Sequence, residues 1–346
     1  LAGILLSGEQ PVVGQASDSQ QQGFRFKSGV ELINVTATVT DRSGRFVSGL
    51  RREDFRVFED GAPVEVTHFS AERTPVSLGI VLDTSGSMAG EKIESARTAI
   101  FNFLQALPDP DDEFFLYRFT AVSDLVHDWT RDREAVARTL NRVRAVGGTA
   151  MYDALAEAVP HAQSGRNRKK AIVVISDGND TNSQLDAGTI RQLVRQTEVL
   201  VYAIGIDSNA PDTLDRSVPP PIVRPPVPIP FPLPGGRGLP APVPVPGWPG
   251  SRGRVITRGG AGDPVNVAAL REITDDSGGR TEVIRDPREL GPATARIADE
   301  LSRQYYLGYP SPGHRDGRWH SIDVEVRDRS LHVRARRGYV APPGER

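Results

Sequence analysis

The sequence predicts an α/β protein: a doubly wound, mostly parallel sheet covered by helices, with a smaller β-sandwich-like domain formed by the N- and C-terminal segments. Two observations lead there. Runs apolar on both faces (77–82, 171–175 and 199–204) alternate with segments of helical period, as buried parallel strands and their crossover helices do. Both ends of the chain instead alternate apolar with polar residues, the mark of strands with one wet face.

From the N-terminal end, Ile33, Val35, Ala37 and Val39 alternate before the turn Arg42-Ser43-Gly44. Phe55-Arg56-Val57-Phe58 then meets Asp60-Gly61, a strong hairpin signal, and Val64 and Val66 resume the pattern. Near the other end Ile322, Val324 and Val326 alternate, followed by Leu331, Val333 and Ala335. So few strands are marginal alone, so residues 24–74 and 305–342 are expected to pack as one β domain that the chain leaves and re-enters. Between them, residues 75–304 carry the α/β unit. Its helices are marked by Ile93, Ala96, Ile100, Phe103 and Leu107, by Val136, Leu140 and Val143, by Leu155 and Val159, and by Ile190, Leu193 and Val194. Asp263-Pro264 and Asp286-Pro287, each a capping residue followed by proline, announce two more helices. More than half of the 28 prolines fall between Pro211 and Pro249, so an insertion at about 208–262 is neither helix nor central strand.

Composition excludes several functions. The net charge of −2 offers no field to steer nucleic acid, and the absence of cysteine removes thiol catalysis, zinc–thiolate sites and disulfides. No segment is long and apolar enough to span a membrane. The short apolar stretch Leu1–Leu6 with small residues at Gly14 and Ala16 reads as the end of a signal peptide, residues 1–23 being that remnant or disordered. The protein is accordingly expected to be secreted, or to lie in the periplasm or cell envelope.

The chemistry is carried by Asp83-Thr84-Ser85-Gly86-Ser87, which follows an apolar strand and precedes a helix. Its carboxylate and two hydroxyls sit at the carboxyl edge of the sheet, where open α/β sheets bind ligands. A hard cation such as Mg²⁺ asks for such oxygen donors. Two further loops bring Thr149, from Gly147-Gly148-Thr149, and Asp177, from Ser176-Asp177-Gly178, to the same edge. Any one of these residues alone is more often a helix cap. Five together on three loops make a candidate site for Mg²⁺, with Mn²⁺ or Ca²⁺ as the alternatives. Asp124, Asp180 and Asp207 read as solvated acids, and the six histidines as surface or strand residues outside any catalytic context.

In this order and spacing the three motifs resemble the metal-ion-dependent adhesion site of von Willebrand factor type A domains, a Rossmann-like family, over about residues 75–304. The flanks, Val47-Ser48-Gly49-Leu50, Glu53 to Gly61 and Arg334 to Tyr339, resemble a bacterial family related to it. The resemblance implies a sheet order 3-2-1-4-5-6, with the strands ending at Asp83 and Asp177 adjacent where the winding reverses. It implies that Ser85, Ser87 and Thr149 coordinate directly, and Asp83 and Asp177 directly or through water. A partner protein's Asp or Glu would complete the shell. Catalytic residues are not expected: Ser85 lacks a nucleophile elbow, and there is no Walker lysine motif or dinucleotide fingerprint. The alternative is a metal-assisted hydrolase using the same ion.

Overall fold

The computed structural model describes residues 32–178, 180–207 and 266–343. The expected signal-peptide remnant, the Pro-rich insertion and the Asp263-Pro264 cap lie outside them. The chain opens with β1 (Leu32–Thr40), β2 (Phe55–Glu59), β3 (Ala62–Val64) and β4 (His68–Ser70). The α/β unit follows as β5 (Val76–Asp83), α1 (Glu91–Ala106), β6 (Glu113–Phe119), β7 (Ser123–Thr130), α2 (Arg133–Leu140), α3 (Met151–Gln163) and β8 (Lys169–Ser176). It continues through α4 (Ala187–Arg195), β9 (Leu200–Ile206), α5 (Val267–Ser277), β10 (Thr281–Ile284) and α6 (Leu290–Arg303). The chain then closes with β11 (Tyr305–Pro310), β12 (Trp319–Val326), β13 (His332–Ala335) and β14 (Gly338–Val340).

The central sheet runs β10-β9-β8-β5-β6-β7, parallel except for β7, which pairs antiparallel with β6 through an irregular register. Counted along the unit this is the order 3-2-1-4-5-6, and β5 and β8 are neighbours at the reversal. Every residue of β5 is buried, because successive side chains enter two different cores. Leu78, Ile80 and Leu82 face α1 and α6, while Val81 joins Phe115, Ile172 and Val174 against α3 and α4. Gly79 leaves the space that the Phe115 ring fills; a Cβ there would lie 2.1 Å from Phe115 Cζ. Among the described residues no helix is long and apolar enough to cross a membrane.

Asn266 caps the described part of α5, its side chain accepting from the Ala269 N–H at 3.1 Å. Asp286 does cap, but a 3₁₀ turn, Pro287–Glu289, which then feeds α6.

The remaining strands form two four-stranded sheets, β13-β1-β11-β4 and β14-β12-β2-β3, each made from both ends of the chain. Val35, Ala37, Leu307 and Tyr309 of one meet Val57, Ile322 and Val324 of the other in a shared core. The β2–β3 turn has positive φ at both Asp60 (49°) and Gly61 (77°), as a two-residue hairpin turn matching strand twist requires. Glu300 of α6, fully buried, ties the sandwich to the α/β unit. It accepts from Thr38 Oγ1 (3.1 Å) and Tyr202 Oη (2.8 Å) and pairs with Arg334 and, at 3.3 Å, Arg280. The guanidinium of Arg195 on α4 also covers the Trp319 ring of β12, 4.4 Å from its centroid.

Candidate functional site

The parallel strands β5 and β8 end side by side, so Asp83 and Asp177 arrive at one edge from registers that differ by a residue. After Asp83 the chain passes through a 3₁₀ turn, Gly86–Met88, before α1 begins. That turn aims Ser85 and Ser87 at the mouth of the reversal. Backbone hydrogen bonds lock the neighbouring loops to it: the Gly86 N–H donates to Gly147 O at 2.9 Å and the Val146 N–H to Thr84 O at 2.7 Å.

The five oxygen-bearing residues play different parts. Asp83 is wholly buried and immobilised, Oδ1 accepting from the Ser85 N–H (2.8 Å) and Oδ2 from Ser176 Oγ (2.5 Å). Burial pushes its carboxyl up to about 6, against the pull of those donors, with the charge of Asp177 adding to the rise. Ser85 Oγ lies 3.0 Å from Ser87 Oγ, which donates to Asp177 Oδ1 at 2.7 Å. Thr149 is held through its backbone: its N–H faces Thr181 Oγ1 (3.3 Å) and Asn182 Oδ1 (3.2 Å), and its carbonyl accepts from the N–H groups of both residues. Its hydroxyl sits beside Gly178, 3.8 Å from where a Cβ on that glycine would be.

A cation already touches this cluster. Lys92, in the first turn of α1, places Nζ 2.5 Å from Asp177 Oδ2, and the aspartate side chain is fully buried. The ammonium takes the oxygen opposite to the one facing Ser87. It therefore balances the aspartate without separating the Ser87 hydroxyl from Oδ1.

The donor set can be tested against an ion. Octahedral Mg²⁺ with bonds of 2.0–2.1 Å puts adjacent ligands roughly 2.9 Å apart. The Ser85–Ser87 and Ser87–Asp177 separations, 3.0 and 2.7 Å, bracket that edge. Asp83, with both oxygens already accepting from the chain, suits a bridge through water. These residues fit a hard cation.

Sequence reasoning missed several contributors. Ser176, which holds Asp83, stood in a quoted motif but was assigned no part. Asp180 is not a solvated acid: it accepts from the Tyr152 N–H at 2.9 Å and from Ser183, anchoring the start of α3 behind Thr149. Asp124 forms an exposed ion pair with Arg118 at 2.9 Å. Lys92 gave no signal in sequence, since its partner lies on another strand. His320 is the strand residue expected, on β12, and is in addition buried between Asp60 and Asp316 and stacked on His314.

Residues 78–179 match a family model described as the von Willebrand factor type A domain. A Synechocystis protein, sll0103, is 30% identical over 117 residues, 33% of this chain and 28% of that one. Mouse inter alpha-trypsin inhibitor heavy chain 4 is 27% identical over 222 residues, 58% of this chain and 22% of its own. The chain thus spans about a quarter of the length of these relatives. Among solved structures, a von Willebrand factor type A protein from Catenulispora acidiphila aligns with 15% identity and a TM-score of 0.47, over 92% of this chain and 76% of that one. BatB from Bacteroides thetaiotaomicron aligns with 18% identity and a TM-score of 0.44, over 66% and 97%.

Proposed function

We propose that this chain, which carries a von Willebrand factor type A domain over residues 78–179, is a protein-binding module that recruits a partner's Asp or Glu through a Mg²⁺-type ion. Domains of this family are protein-interaction and adhesion modules. The observation carrying the finer reading is the run of oxygens Ser85, Ser87 and Asp177 at 3.0 and 2.7 Å, on the edge where the sheet reverses.

When bound, the ion supplies an electrophilic position for a carboxylate, strong because two of its ligands are neutral hydroxyls. The chain's own residues do the rest. Asp83, immobilised by Ser176 and the Ser85 N–H, adds negative charge behind the serines. Asn182 and Thr181 fix the backbone of Thr149, so that its hydroxyl is presented by a loop already in place. Around this polar centre Val122 and Val146 are 63% and 59% exposed, on the β6–β7 loop and on the loop bonded to Thr84. Apolar side chains flanking a charged centre are suited to contact a protein surface. Residues 1–16 support a place outside the cytoplasm.

Ser87→Ala is the clean test, since Ser87 is exposed and its loss opens no cavity. Wild type should show Mg²⁺-dependent stabilisation by thermal shift and retain partners from the cell envelope only without chelator. The variant should lose both, and its metal-free melting temperature should fall only by the loss of one donor to Asp177, with no further drop on adding chelator. Partner capture that is the same with Mg²⁺ and with chelator would refute the reading.

A further inference from the structure

A second cluster lies on the β sandwich, far along the chain from the serine loop. Glu59, the last residue of β2, has its side chain 2% exposed. Its Oε1 accepts from Tyr339 Oη at 3.0 Å, while Oε2 is buried with no well-formed hydrogen bond among the described residues, the Tyr309 hydroxyl and the buried Arg336 guanidinium being its other polar neighbours. A buried carboxylate oxygen left without a donor costs free energy unless a cation meets it. The His314 Nε2 lies 3.5 Å from Oε1, too far for a hydrogen bond. His320, buried on β12, places Nδ1 2.7 Å from Asp60 Oδ2 and Nε2 3.2 Å from Asp316 Oδ1. The two imidazoles stack with centroids 3.9 Å apart and planes within 9°. One donor atom from each of Glu59, His314 and His320 falls within 4.8 Å of the others.

We propose that Glu59, His314 and His320 form a second metal site, for a Zn²⁺-class ion, with Asp316 or water as fourth ligand. The spacings carry the choice of ion. A tetrahedral ion with bonds of 2.0–2.1 Å sets neighbouring ligands roughly 3.4 Å apart. The Glu59–His314 and His320–Asp316 separations, 3.5 and 3.2 Å, are long or marginal for hydrogen bonds and right for such an edge. Two imidazoles with a carboxylate and no sulfur select a borderline transition ion over Mg²⁺. Asp60 supplies the outer support that metal-bound histidines have. Its carboxylate holds Nδ1–H of His320, presenting Nε2 as the ligand, and is itself fixed by the Ser321 N–H at 2.8 Å. Convergence on one ion requires His314 to tilt out of the stack. It sits on the surface between Gly313 and Gly317, both at positive φ, on a loop suited to that movement.

The test is a Zn²⁺ titration of the full chain by calorimetry, repeated on Ser87→Ala so that any uptake at the serine loop is told apart from uptake here. Wild type should take up one equivalent and rise in melting temperature. His314→Ala should weaken uptake at least tenfold and leave the metal-free melting temperature unchanged, since this side chain is exposed. Glu59→Gln should remove uptake while retaining the bond from Tyr339. His332→Ala, at an exposed histidine on β13, should bind as wild type does. Uptake unaffected by His314→Ala, or equally reduced by His332→Ala, would mean surface binding only and would overturn the site.

Discussion

Lys92 gives the sharpest quantitative expectation. Replacing it by Met keeps the length of the stem and removes the charge that sits 2.5 Å from Asp177. Two effects then act with the same sign on Mg²⁺ affinity. The ammonium no longer repels an incoming cation; at about 4 Å and an effective dielectric near 20 that repulsion is on the order of 4 kcal/mol. The lysine side chain is 24% exposed and can turn toward water, so a third to a half of this is a fairer figure, or about ten- to thirtyfold in affinity. The ion-free protein also loses its partner for a fully buried carboxylate, worth about 1–3 kcal/mol after the same discount. Lys92→Met should therefore melt lower than wild type in chelator and gain more from Mg²⁺, with tighter binding by calorimetry. Unchanged or weaker Mg²⁺ binding would show that Lys92 does not compete for Asp177, and the electrostatic argument for the site would fail.

Further expectations concern stability. Gly79→Ala drives a methyl into the Phe115 ring, which is wedged between Trp129 and His161 at 4.7 Å each, so a loss of about 1–3 kcal/mol is expected in urea denaturation. Glu300→Ala leaves Arg334 and Arg280 without their shared carboxylate and should cost about 3–5 kcal/mol, read as a lower denaturation midpoint; Arg334→Met in the same background should then cost little more. Lys169 donates to Leu301 O inside the protein, and burial pulls its ammonium down to about 8. Above that pH the unfolded chain holds the proton more firmly than the folded one, so stability should rise between about pH 8 and 10.5, by up to about 3 kcal/mol. Lys169→Met should flatten this rise, measured as the difference from wild type so that tyrosine ionisation cancels.

Much of the architecture is legible because burial on both faces leaves a mark in sequence. Residues 77–82, 171–175 and 199–204 all fall in strands inside the sheet, whereas the winding point comes from the family resemblance and not from the runs themselves. The run Phe114 to Tyr117 in β6 is equally apolar and passed without notice. β7 carried less signal: Ser123–Thr130 is an edge strand, half-buried to exposed along its length, with shifts in register. The candidate site divides in the same way. Its five residues stand in short local motifs at strand ends, where position alone betrays them. Lys92, Asn182 and Asp180 act across loops distant in sequence, and nothing near them reports the partner. The burial of His320 left no mark in sequence for the same reason, since the pocket holding it is assembled from a hairpin turn near residue 60 and a loop near 316.

The points where the chain leaves and re-enters the sandwich are bonded to each other. β4 runs out at Ser70, β11 starts at Tyr305, and the two pair antiparallel with Ser70 opposite Tyr306. Tension applied through the outer strands would pass across this ladder and the two flanking sheets, while the central six-stranded sheet lies beside the load path. If a ligand is gripped at the serine loop, its pull would reach a clamp in which adjacent strands must be sheared apart, and the central sheet could hold its shape while its anchorage carries the strain.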